Sequence, residues 1–190
     1  IVENNSLLDY SNNEKYSLTI QASDGTNTAS TSVTINVIDV NNNPVAVNDS
    51  IGLNENETAE QTSAANGVLS NDSDSDGDSI TLENFRTGLE TGSGIYGILG
   101  SSREGSYGSL TLNGDGTYSY VADLAAADAL GEGVTATDPF TYSVSDGKGG
   151  DTGEIIFTIT GVNDAPHIVD TIAKKKYTEG QGETIIIDGS

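Results

Sequence analysis

Apolar and polar residues alternate along most of this chain. Leu18, Ile20 and Ala22 share one face of residues 16–23, and Val33, Ile35 and Val37 share one face of residues 31–38. Phe140, Tyr142 and Val144 repeat the spacing, as do Ile155, Phe157 and Ile159 against Ile156, Thr158 and Thr160. A period of two is that of a strand with one buried face. Tyr107, Leu110 and Leu112 precede the sequence Asn113-Gly-Asp-Gly-Thr117, and Tyr118 and Tyr120 follow it. Its glycines tolerate positive φ, so the segment predicts a hairpin with a tight turn. Residues 79–85 also read as a strand. The one interruption is Ala122–Gly131, which predicts a helical turn or two, with its alanines, Leu124 and Leu130 filling the core. Short strands at short spacing, joined by Gly, Asn and Asp turns, predict an all-β chain of sandwich type.

The pattern is written twice. Tyr16-Ser-Leu-Thr-Ile-Gln-Ala-Ser-Asp24-Gly returns as Phe140-Thr-Tyr-Ser-Val-Ser-Asp146-Gly, and Ile38-Asp-Val-Asn-Asn-Asn-Pro44 returns as Thr160-Gly-Val-Asn-Asp-Ala-Pro166. The offset is 122 residues, the distance from Asp24 to Asp146. Solenoid repeats run to roughly 20–50 residues, so this is the period of whole domains in tandem. The expected division is the last strands of one domain in residues 1–44, a complete sandwich in 45–164, and the first strands of a third domain in 165–190. The flanking pieces then carry open strand edges, which other copies of the chain could complete head to tail. Contacts of that kind do not close and build filaments.

Charge narrows the function. The 190 residues carry 29 acidic and seven basic side chains, a net charge of −22. Binding nucleic acid requires Lys and Arg to neutralise phosphates, so that partner is excluded, and an anionic membrane surface is equally poor. No run of about 18 apolar residues exists to insert into a membrane. With no Cys, no disulfide staples the chain.

The acids are clustered. Asn71-Asp-Ser-Asp-Ser-Asp-Gly-Asp78 places Asp72, Asp74, Asp76 and Asp78 on alternate positions. Unit charges about 5–6 Å apart repel by roughly 0.7 kcal/mol even in bulk water, so a loop that gathers them calls for a cation. Hard carboxylate oxygens suit Ca²⁺. The spacing also fits an EF-hand loop ending at Glu83, but an EF-hand needs flanking helices, and a strand follows here.

Leu8-Asp9-Tyr10, Ala22-Ser-Asp24-Gly25 and Asp39-Val-Asn-Asn-Asn-Pro44 resemble the late strands and linker of a cadherin repeat. Residues 45–166 resemble the VCBS-type repeat of giant bacterial surface proteins. The matching stretches are Gly67-Val-Leu-Ser-Asn-Asp-Ser-Asp-Ser-Asp-Gly, Tyr107-Gly-Ser-Leu-Thr-Leu-Asn-Gly-Asp-Gly-Thr-Tyr-Ser-Tyr, Phe140-Thr-Tyr-Ser-Val-Ser-Asp-Gly and Gly161-Val-Asn-Asp-Ala-Pro166. The resemblance implies tandem Ig-like, cadherin-like sandwiches with Greek-key topology, in an extracellular rod rigidified by calcium. In such a sandwich Asp74, Asp76 and Asp146 face the linker residues Asp39, Asn41 and Asn43, and Asp9 of the preceding domain joins them. At the opposite pole Glu55 and Asp138 lie near Asn163 and Asp164. Ser11, Asn42, Gly161 and Ala165 stand where cadherins carry further ligands, which points to fewer ions per junction.

Enzyme signatures are lacking. His167 sits at a linker, there is no Cys nucleophile, and no Gly-x-Ser-x-Gly elbow occurs. Asp138-Pro139 is a labile bond, but its Pro opens a strand. The Lys174–Lys176 run reads as an edge guard. The expected role is a secreted or cell-surface spacer or adhesion module, with neighbouring domains of the array as partners. The rival readings are a module binding cell-surface glycans or proteins, and a filament subunit built by strand exchange. Tyr118 and Tyr120 alternate with Ser119, which suits core packing better than glycan stacking.

Overall fold

The computed structural model describes residues 14–164. Asp9, His167 and the lysines 174–176 lie outside them, as does the expected third domain. Strands β1 (Lys15–Ser23) and β2 (Thr28–Asn36) form an antiparallel hairpin that is a sheet of its own. Its register sets Leu18 opposite Val33 and Tyr16 opposite Ile35, so the alternating apolar positions share one face. Asp24 closes the turn. Its Oδ1 accepts the N–H of Thr26 at 2.9 Å and of Asn27 at 2.7 Å. Leu18 and Ile20 remain about half exposed.

The other strands build a two-layer sandwich, as the alternation predicts. They are β3 (Asp49–Asn54), β4 (Thr58–Gln61), β5 (Thr81–Thr87), β6 (Tyr96–Gly97), β7 (Ser102–Glu104), β8 (Ser109–Leu112), β9 (Tyr118–Val121), β10 (Thr135–Ser145) and β11 (Gly150–Thr160). One sheet has the order β3-β11-β10-β5-β6 and the other β4-β9-β8-β7. The first strand of the sandwich pairs in parallel with the last, Asp49 opposite Ile155 and Asn54 opposite Thr160. The turn at residues 54–57 then moves the chain into the second sheet as β4. The linker therefore arrives at one end of the sandwich, the entrance pole, and the chain leaves from the other, the exit pole.

The core lies between the sheets. Phe140, Tyr142, Val144, Ile155, Phe157 and Ile159 point inward from β10 and β11, and Leu110, Leu112 and Tyr120 meet them from β8 and β9. Tyr120 stacks on Phe157 with ring centroids 3.8 Å apart and 7° between planes, and Phe140 packs edge-on to both. Each such side chain contributes about 1.5–3 kcal/mol of burial free energy. The tyrosines of β9 are thus packing residues: Tyr120 is fully buried and Tyr118 partly so. The interrupting segment is a single helical turn, α1 (Ala125–Asp128), which buries Ala127. No α-helix flanks the acidic loop; a single 3-10 turn, Ala64–Asn66, comes before it. The loop precedes β5 and is held to the linker by the bridge between Val45 and Ser73.

Candidate metal centres at the two poles

The exit pole is organised by one corner. Asn56 adopts φ 62°, the left-handed conformation that Asn tolerates better than most residues. Glu57 clamps the turn, its Oε2 accepting the N–H of Asn54 at 2.9 Å and its Oε1 the Asn54 amide at 3.2 Å. The N–H of Glu55 donates to the Thr160 carbonyl and that of Asn56 to the Ala122 carbonyl. The corner so fixed turns Glu55 inward, leaving it 2% exposed. Its Oε1 accepts the N–H of Val162 at 2.5 Å. Its Oε2 is sealed from solvent without any donor. Asp128 at the end of α1 and Asp164 on the exit segment join it, each with a carboxylate oxygen within 4.8 Å of the others. A charged oxygen buried without a partner is strongly unfavourable. A divalent cation held by three carboxylates removes that cost, so these residues fit calcium.

At the entrance pole the linker lies across the turn between β10 and β11. Asp146 Oδ1 accepts the N–H of Lys148 at 2.7 Å and of Gly149 at 2.6 Å, and its Oδ2 accepts the Asn41 amide at 2.8 Å. These bonds, that from Gly149 foremost, hold its carboxyl down to about 2. Asn42 binds Asp76 through its backbone N–H at 2.6 Å and its side-chain amide at 3.0 Å, and the backbone bond is the main reason Asp76 titrates below the usual range. Asn43 presses on Gly149, where a Cβ would come within 2.1 Å of its Oδ1. Asp74 Oδ1 accepts the N–H groups of Asp76 and Asp78 and closes the acidic loop on itself. Asn41 Oδ1 and Asp74 Oδ2 are left sealed from solvent without a donor. Asp78 pairs with the Lys148 ammonium at 2.8 Å. Asp39 acts on that same ammonium, raising its affinity for the proton after the larger effect of Asp78.

The four carboxylates of residues 72–78 therefore diverge instead of gathering in one loop. Among the described residues the single group of three convergent acids is the one at the exit pole. Asp72 turns away from the linker asparagines. Its Oδ1 accepts the N–H of Val47 at 2.7 Å and lies 3.3 Å from the Tyr142 hydroxyl, which is 3.5 Å from Asp49. Burial, and then the Asp72 charge, push the Asp49 carboxyl up to about 6, and burial raises Asp72 as well.

A pH dependence follows. Because both carboxyls bind protons more readily folded than unfolded, they stabilise the chain increasingly as pH falls through about 6 toward the ordinary carboxylate value. Asp146 and Asp76 are shifted the other way, so their contribution is intact down to about pH 4 and is lost only below it. In chelator, the urea midpoint is expected to be higher at pH 5 than at pH 7. An equal or lower midpoint at pH 5 would contradict this account of Asp49 and Asp72.

Asp138 needs correction. It is 1% exposed and is not gathered with Glu55 and Asp164. Its Oδ1 accepts the N–H of Ser106 at 2.9 Å, and its Oδ2 accepts those of Tyr107 and Gly108 and the Tyr120 hydroxyl at 2.8 Å. The approach needs glycine at 105, where a Cβ would lie 2.4 Å from Asp138 Oδ2. With four donors this carboxylate pins the two sheets together, its partners coming from the β7–β8 connection and from β9. Asn163 is exposed, and among the described residues its amide donates to the Asp164 carbonyl at 3.3 Å. The residue that sequence reasoning passed over is Asp128. It ends α1, inside the segment assigned to core filling, and only the position of that segment beside the exit brings its acid to Glu55 and Asp164.

Residues 41–161 match the family model described as a bacterial cadherin-like domain. Among solved structures, the chain is 19% identical to the extracellular domain of protocadherin γB4, covering 80% of this chain and 23% of that one, with a TM-score of 0.41. Mouse protocadherin-24 EC1–3 is 16% identical over 82% of this chain and 46% of its own, with a TM-score of 0.38. An endo-fucoidan hydrolase of glycoside hydrolase family 107 is 19% identical over 82% of this chain and 20% of its own, with a TM-score of 0.35. The chain thus spans less than half the length of each. No curated protein matches it.

Proposed function

This chain belongs to the bacterial cadherin-like domain family, and on that footing we propose that it is a calcium-rigidified spacer or adhesion module of an extracellular, repetitive surface protein. One observation carries the reading. Glu55 Oε2 is buried without a donor at the point where the chain leaves the sandwich, beside Asp128 and Asp164. At the entrance, Asn41 Oδ1 on the linker and Asp74 Oδ2 on the acidic loop form a second set of sealed oxygens. Both sets combine a side chain of the sandwich with one of a connecting segment. Bound there, calcium supplies positive charge that these oxygens otherwise lack. The residues themselves hold the linkers against the domain, which removes hinge freedom between neighbours in an array. The acids serve attachment rather than catalysis, because they stand where segments join. Magnesium is a weaker fit, since it demands near-ideal octahedral geometry at shorter distances.

Calorimetric titration of the 190-residue chain tests the reading. Calcium is expected to bind with measurable heat and magnesium more weakly. Glu55→Gln should abolish the exit-pole site while leaving entrance-pole binding in place. Heats of dilution alone in the unsubstituted chain would refute it.

A further inference from the structure

The geometry points to Lys148 as a built-in counter-ion that lowers the calcium affinity of the entrance pole, so that the two poles fill at different calcium concentrations. This inference rests on the calcium reading above and deepens it. The ammonium of Lys148 sits 2.8 Å from Asp78 Oδ2. It also acts electrostatically on Asp76, Asp146 and Asp39. Asp146 accepts the Asn41 amide and Asp74 accepts the Asp76 N–H, while Asn41 Oδ1 and Asp74 Oδ2 stay sealed. A divalent ion entering this pole meets a positive charge already in place. Among the described residues the group at the exit pole is Glu55, Asp128 and Asp164, with no cation paired to it.

The internal repeat shows that the turn does not need this lysine. The equivalent turn reads Asp24-Gly25-Thr26-Asn27 against Asp146-Gly147-Lys148-Gly149. Both are closed the same way. Asp24 Oδ1 accepts from the N–H groups of Thr26 and Asn27, and Asp146 Oδ1 from those of Lys148 and Gly149. Ser23 Oγ accepts from the Gly25 N–H as Ser145 Oγ does from that of Gly147. The backbone bonds at position 148 are thus independent of its side chain. What the lysine adds is charge, projected from a half-exposed position onto Asp78.

A unit charge and a divalent ion about 6 Å apart repel in bulk water by an energy worth about a tenfold change in affinity. Calcium titration of the full 190-residue chain and of Lys148→Gln, Lys148→Arg and Asp146→Asn is the test. Lys148→Gln is expected to tighten one site roughly tenfold and leave the other unchanged. Lys148→Arg should bind as the parent does. The site that moves should be the one weakened in Asp146→Asn and retained in Glu55→Gln. Raising salt from 50 to 300 mM should shrink the difference between parent and Lys148→Gln, since screening acts on exposed charge. Calcium binding that is the same in the parent and in Lys148→Gln overturns the inference and leaves the calcium reading standing. No calcium binding in any variant overturns both.

Discussion

Asp138→Asn is expected to lower the unfolding free energy by about 3–5 kcal/mol, the range for breaking one side of a buried charged network. Four donors converge on this carboxylate: the N–H groups of Ser106, Tyr107 and Gly108, and the Tyr120 hydroxyl. Asparagine has the same shape but turns one acceptor into a donor, which then faces other donors. Every lost bond is of the charge-assisted kind, worth about 1.5–3 kcal/mol. Tyr120→Phe removes only one of the four and should cost about 1.5–3 kcal/mol. Urea denaturation in chelator measures both. A loss below about 1 kcal/mol for Asp138→Asn would show that the cradle is not a structural pin. Calcium affinity should be unaltered in any Asp138 variant that folds, which separates a clamp between sheets from a metal ligand.

Calcium itself is expected to produce the other large effect. A site bound only in the folded state adds about 2.7 kcal/mol at a hundredfold excess over its Kd. Two poles give about 5 kcal/mol, or roughly 10–20 °C in Tm for a domain of this size. Glu55→Gln should act with opposite signs in the two conditions. In chelator it raises stability, because a neutral amide is cheaper to bury than a carboxylate oxygen without a donor. With calcium it halves the gain. Thermal scans of both proteins in chelator and in excess calcium decide this. Coincident midpoints in the two conditions for the unsubstituted chain would sink the cation account.

The sandwich was legible because a period of two leaves little choice. Phe140, Tyr142 and Val144 can share a face only in a strand, and they line the core together. The turns were legible for a related reason, since Asp146-Gly147 and Asp115-Gly116 each put glycine at a positive φ that most residues avoid. What spacing does not contain is direction. Asp72, Asp74, Asp76 and Asp78 alternate as if to converge, yet each finds a different donor: Val47, the loop's own backbone, Asn42 and Lys148. Those donors come from segments up to 70 residues away. Asp138 misled for the same reason, because its partners at 106–108 are set by how the sheets close. Glu55 was named and Asp128 was not, although the two lie together. Glu55 belongs to the resemblance, whereas Asp128 ends an alanine-rich turn whose place at the exit depends on the crossing from β9 to β10.

The parallel pairing of β3 with β11 has a mechanical consequence. Tension along an array would reach the sandwich through the linker before β3 and the segment after β11. Those two strands are neighbours, running the same way over the six residue pairs from Asp49–Ile155 to Asn54–Thr160. A pull from opposite ends loads their hydrogen bonds side by side, in shear, so that they must give way together. An antiparallel pair of end strands would instead be unzipped one bond at a time. The topology that sends the chain in at one pole and out at the other therefore also makes the first and last strands a force-bearing clamp.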